Sequence, residues 1–188
     1  MHDPRIDELA RQLVRYSTAT KKGEKVLIEL FDVPEEVGIA LIREVRAAKA
    51  TPFINIHNAK ISRELARGAT EEQYGIIAGT AMHQMKSMDC YIAIRGSHNV
   101  NELSDVPAKN MQMLSAKMRP VLNQRVNKTR WCVLRWPHPS MAQSAGMSTE
   151  AFEDFYFRVC LLDYAKLKPA MNALAKLMTK AKDVHIMG

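Results

Sequence analysis

Glycine is scarce in this 188-residue chain, with 8 residues in all, and none stands where a phosphate-binding loop would need it. The first strand-to-helix turn reads Phe31-Asp32-Val33-Pro34, acidic and stiffened by proline. The G-x-G-x-x-G pattern, whose glycines let backbone N–H groups approach a pyrophosphate, is absent, and so is a P-loop. The lone glycine of Gly96-Ser97-His98-Asn99 reads as a turn residue. Cysteine is equally sparse. Cys90, Cys132 and Cys160 are widely spaced and each sits in an apolar stretch, which suits buried free thiols better than a disulfide framework or a zinc site. No apolar run approaches the roughly 20 residues that span a bilayer. The opening MHDPRIDELA carries acids and no apolar core, so it is not a secretory signal. These absences point to a soluble, cytoplasmic protein with no membrane partner.

Catalytic patterns are missing too. Six histidines stand singly along the chain, and H-E-x-x-H does not occur. His98, Glu102 and Asp105 share one loop, but carboxylates near a helix start are explained more simply as caps and dipole partners. Ser140 and Ser144 lie near His138 without the G-x-S-x-G elbow, and His138, between Pro137 and Pro139, reads as an ordinary turn residue. The net charge of +7 is spread along the polar faces of several expected helices, with no zinc-finger spacing or aromatic–basic alternation. Such dispersed charge supports non-specific attraction at most, and no nucleic-acid partner is expected.

What the chain does contain is a regular alternation. With 47% hydrophobic and 25% charged residues it has the composition of a globular domain. Asp3-Pro4 is a helix start, and Ile6, Leu9, Leu13 and Tyr16 share one face. Lys25–Phe31 (KVLIELF) reads as a buried strand, followed by a helix opened near Asp32 and Pro34 and then a second strand over Phe53–His57. Thr70 and Gln73 form a capping-box pattern for a helix running to about Met88. Asp89–Arg95 is the third strand. Another helix starts near Asp105-Val106-Pro107, with Pro120 expected to break or kink it. Arg130–Trp136 is the fourth strand. A helical stripe follows from Ser148, restarted by Pro169, and Asp183–Met187 is expected as a fifth strand. Strands separated by helices predict an α/β fold: a mainly parallel sheet with crossover helices on both faces, Rossmann-like but without the dinucleotide fingerprint.

Longer segments carry more information than these patterns. ELSDVP (Glu102–Pro107), TRWCVLRWP (Thr129–Pro137) and SMAQSAGMSTEAFEDFYF (Ser140–Phe157) closely resemble the N-terminal domain of the thermophilic metallo-aminopeptidases, the aminopeptidase T and S group. RIDELARQLVRYST, KKGEKVLIE and VCLLDYAKLKPAMNALAKLM fit the same pattern, with Pro169 as a departure from it. The resemblance implies two parts: an N-terminal α/β domain and a C-terminal domain whose two divalent metals, zinc or cobalt, activate water for attack on the first peptide bond of a peptide substrate. It places the metal ligands in the C-terminal domain, so no catalytic, cofactor or metal residue is carried onto this sequence.

On that reading residues 1–182 form the N-terminal domain, and 183–188 form the first strand leading toward a C-terminal metal-binding domain that this sequence lacks. The segment alone is expected to be inactive. The resemblance further implies a homodimer enclosing a cavity, with Glu102, Asp105, Ser140, Gln143 and Glu150 as candidate cavity-wall residues. The plain alternative for each is a cap or turn role. The rival function is a stand-alone α/β module that binds a small anion or peptide at the carboxyl ends of the strands.

Overall fold

The computed structural model describes residues 3–187. Four strands, β1 (Lys25–Phe31), β2 (Thr51–His57), β3 (Cys90–Arg95) and β4 (Arg130–Arg135), form one all-parallel sheet in the order β2-β1-β3-β4. The crossover from β1 to β2 is α2 (Glu35–Ala47). From β2 to β3 the chain passes through α3 (Ala59–Arg67) and α4 (Glu71–Lys86), and from β3 to β4 through α5 (Ala108–Lys128). Parallel neighbours cannot be joined by a hairpin, so each connection needs such a crossover.

The period of two along β1 and β3 sorts side chains onto two faces. Val26, Ile28, Leu30, Cys90, Ile92 and Ile94 face one core, covered by α2, by α1 (Pro4–Arg11), by the π-helical turn Gln12–Ser17 and by α7 (Thr149–Cys160). Leu27, Tyr91 and Ala93 face a smaller core closed by Met85 of α4 and Val121 of α5. Helices therefore cover both faces, as expected for this fold class. Glu29 shares the register of Leu27 and Phe31, which puts a carboxylate on the smaller face.

Local chemistry accounts for most boundaries. Asp3 accepts the Arg5 N–H at 2.9 Å, with Pro4 at the first helical position. Thr70 Oγ accepts the Gln73 N–H at 3.1 Å and opens α4. Ser148 Oγ accepts the Ala151 N–H at 3.2 Å and opens α7. Helix α3 is absent from the pattern read above; Asn58 Oδ1 caps it by accepting the Ile61 N–H at 3.1 Å.

Several expectations are corrected. Pro120 does not end α5, which runs unbroken from Ala108 to Lys128 with Val121 packed into the core. Tertiary packing there outweighs the single backbone hydrogen bond that proline removes. The C-terminal helix restarts at Tyr164, not Pro169: Asp163 caps α8 (Tyr164–Lys180), and Pro169 lies inside it. Residues 183–187 form no strand, since no sheet edge pairs with them, and Ile186 and Met187 are 84% and 98% exposed; Gly188 lies outside the described residues. None of the residues of α8 is buried. Among the described residues no helix is long and apolar enough to cross a membrane.

Candidate functional site

Open parallel sheets hold ligands beyond the carboxyl ends of their strands, where neighbouring connections run in opposite directions. In the order β2-β1-β3-β4 that point lies between β1 and β3. Asp32 follows β1 in the left-handed region, at φ +48°, and three bonds pin it. Its N–H donates to the His57 carbonyl at 3.1 Å, its carboxylate accepts the Ala59 N–H at 3.1 and 3.2 Å, and its own carbonyl lies 2.6 Å from His138 Nε2. Across the gap, Gly96 follows β3 and donates its N–H to the Phe31 carbonyl at 2.7 Å.

His138 fills this crevice. It precedes α6 (Pro139–Ser144), its side chain is 6% exposed, and its ring meets the His98 ring at 4.3 Å between centroids. Nε2–H donates to the Asp32 carbonyl, which ties the end of β4 to the end of β1. The expectation of an ordinary turn residue is therefore wrong: a buried imidazole bridges two strands 106 residues apart in sequence. Gly96 allows this, because a Cβ there would overlap both His138 Nε2 and the Asp32 carbonyl oxygen. With the crevice occupied by a ring, no backbone cradle for a phosphate remains between β1 and β3.

Two shallow cavities flank the plug. One, of about 350 Å³, is bounded by Pro34, Ile56, His57, Asn58 and His98; the other, of about 250 Å³, by Asp32, Ala59, Lys60, Asn99 and Glu102. Of the five candidate wall residues, Glu102 lines the second cavity and accepts from Asn99 Nδ2 at 3.4 Å. Ser140 sits at the same end of the sheet and donates its hydroxyl to the Ser97 carbonyl at 2.6 Å. Asp105 is held by the Arg63 guanidinium, which keeps its carboxyl below the usual carboxylate range and braces the loop against α3. Gln143 on α6 and Glu150 in the first turn of α7 are exposed and line neither cavity. The structure thus brings Glu102 and Ser140 to one end of the sheet and leaves Gln143 and Glu150 on the surface.

Elsewhere the polar groups support the fold. At the amino end of the sheet, Arg130 pairs with Glu24 and donates Nε–H to the Thr18 carbonyl at 2.7 Å. Cys90 lies beside them, fully buried, and burial pushes its thiol up despite the neighbouring Thr20 and Arg130, so it is no ready nucleophile. Among the described residues no group of three His, Cys, Asp or Glu side chains converges on a point that a metal ion could occupy. Asp32, His98 and His138 line one cavity, but the His138 Nε2 is committed to a carbonyl and the Asp32 carboxylate to the Ala59 N–H. The two divalent metals implied by the resemblance do not fit these residues, and no chemical step is routed through them.

The site and sheet together define a class: an open parallel α/β domain whose ligand crevice is closed by its own histidine. The chain belongs to the family described as Thermophilic metalloprotease (M29), which matches residues 2–184. Among solved structures it is similar to wild-type AmpT from Thermus thermophilus, with a TM-score of 0.70 at 16% identity, over 90% of this chain and 46% of that one. That likeness shows the fold, and the chain spans less than half the length of that structure. No curated protein matches the chain.

Proposed function

We propose that this chain acts as the non-catalytic N-terminal domain of a metal-dependent aminopeptidase. The proteolytic reaction is that of the family; the restriction to amino termini follows the sequence resemblance set out above. Hydrolysis would belong to residues outside this chain, in a metal-bearing half holding two zinc or cobalt ions, and this domain would contribute support, a cavity wall built from Glu102 and Ser140, and contacts within a homodimer.

The observation that carries the reading is α8. It presents Leu167, Met171, Leu174, Leu177 and Met178 at helical spacing, all at least 40% exposed. Of these, Leu174, Leu177 and Met178 line an apolar groove with Val184 and Ile186 of the following segment. An apolar stripe about three turns long left in water disfavours the isolated helix, and packing against a further domain would bury it. The closed crevice weakens the rival reading of a stand-alone anion-binding module, since the usual anion position is filled by His138.

The test is hydrolysis of leucyl and other aminoacyl p-nitroanilides, with zinc or cobalt added. The 188-residue chain is compared with a chain in which it is fused to the remaining half of an M29 family member. Activity confined to the fusion supports the reading, provided the fused half alone is inactive or weaker. Metal-dependent turnover by the 188-residue chain, removed neither by further purification nor by a mock preparation, overturns it.

A further inference from the structure

Glu29 is the one acidic residue of β1 to point toward the smaller core. Its side chain is 19% exposed, and it opens into a cavity of about 250 Å³ between α4, α5 and the sheet. Pockets for drug-sized molecules run to about 300–1,000 Å³, so this one suits something smaller. One wall is charged in both senses: Glu29 on the sheet, Arg119 and Arg125 on α5. The floor is apolar, built from Leu27, Met85, Met118 and Val121. Gln84 is held in place at the rim by Asn55, whose Nδ2–H donates to Gln84 Oε1 at 3.0 Å.

The two charge types share a neighbour without meeting. Tyr91 donates its hydroxyl to Glu29, while the Arg125 guanidinium lies 4.5 Å over the centre of the Tyr91 ring. Among the described residues neither Arg119 nor Arg125 forms an ion pair, and the buried Nε of Arg125 has no hydrogen-bond partner. Glu29 accepts the Tyr91 hydroxyl, His57 Nε2 stands 3.6 Å from its Oε1, and Asn55 also favours its charged form. Burial pushes the Glu29 carboxyl up, but the His57 ring and the Tyr91 hydroxyl hold it below the usual carboxylate range, so it is ionised at neutral pH. Glu29 and the two arginines thus bring opposite charges to the lining of one small cavity.

We infer that this cavity binds a free α-amino acid with an apolar side chain: its ammonium on Glu29, its carboxylate on Arg125 and Arg119, its side chain on the floor of Leu27, Met85, Met118 and Val121. Carboxylates and guanidinium groups are the natural partners for the two ends of such a zwitterion. A phosphate or dicarboxylate is disfavoured by Glu29, and a plain amine leaves both arginines unmatched. The site is separate from the carboxyl-end crevice and does not depend on the peptidase reading.

L-Leucine titrated into the 188-residue chain, followed by calorimetry and by the ¹³C-methyl signals of the methionines, tests this. The expected result is saturable binding that shifts Met85 and Met118. L-Leucinamide and N-acetyl-L-leucine, each lacking one charge, should bind at least about tenfold more weakly, the scale of one charge-assisted hydrogen bond. Arg119→Gln, on the exposed side of α5, should narrow the preference for leucine over leucinamide while its circular dichroism and melting temperature stay those of the parent. Glu29→Gln should narrow the preference over N-acetyl-leucine; if that variant does not fold, the ligand series still decides. No saturation with leucine, shifts confined to other methionines, or equal binding of the three compounds overturns the inference.

Discussion

Replacing Gly96 by alanine puts the closed crevice to a direct test. The new methyl carbon would overlap His138 Nε2 and the Asp32 carbonyl oxygen and lie 2.6 Å from His138 Cδ2. Asp32 cannot retreat, because its N–H, carboxylate and carbonyl are all bonded and its backbone is already left-handed. The imidazole must therefore leave. Forcing extra volume into a packed site costs about 1–3 kcal/mol. Stranding the part-buried Asp32 carbonyl adds at most about 1–3 kcal/mol. In a domain of this size each kcal/mol moves the melting temperature by roughly 2–4 °C, so a fall near 10 °C, and no less than about 4 °C, is expected. Thermal melts followed by circular dichroism would read it. In a His138→Ala background the ring is gone but the overlap with Asp32 remains, so the same glycine substitution should cost less there, yet not nothing. A Gly96→Ala variant melting within about 1 °C of its parent would refute the argument that the ring and the glycine share one space.

Three further outcomes follow from the geometry. Glu29 has a depressed carboxyl, so its contribution to stability is present in full above the ordinary carboxylate value of about 4.3 and is lost as pH falls through the lower, folded one; urea midpoints measured from about pH 6 down to about pH 3 should fall less steeply in Glu29→Gln than in the parent. Substituting Leu174 and Met171 on α8 by lysine should leave the melting temperature unchanged and reduce self-association in sedimentation velocity, because neither side chain is buried in the domain; a clear loss of stability would mean the stripe is already packed. Cys90 should resist iodoacetamide under native conditions at neutral pH and react on unfolding, as peptide mass spectra would show, since it is fully buried and burial raises its thiol.

The sheet was legible because its signals are local. KVLIELF and CYIAIR are short apolar runs between turn residues, and the intervening helical periodicity leaves parallel pairing as the economical arrangement. Helix α3 was not read because it is only 9 residues long and follows β2 almost directly, although Ile61 and Leu65 share one face. The prolines misled in the other direction. Pro120 and Pro169 are local breakers, whereas helix continuity at those positions is decided by neighbours and by the Asp163 cap. The site was hardest. Pro137-His138-Pro139 gives no local hint that the ring will be buried, since its partner lies on a distant strand. Of the five candidate wall residues, Glu102 and Ser140 lie at the carboxyl end of the sheet, as their positions after β3 and β4 imply. Position alone could not show that Asp105 would be taken up by Arg63, or that Gln143 and Glu150 would face outward.

The strand order also has a consequence for synthesis. β1 is complete at Phe31 and can pair with β2 once residue 57 is made, but its other edge is reserved for β3, which ends at Arg95. At about 5–20 residues per second, the nearly 40 residues between those points keep one side of the central strand bare for roughly 2–8 s as the chain emerges. Throughout that interval Val26, Ile28 and Leu30 have α1 and α2 at hand to cover them, while Leu27 must wait for α4 and α5. A nascent chain stalled before residue 90 would therefore present a half-clad sheet edge, the state most in need of a chaperone on the ribosome.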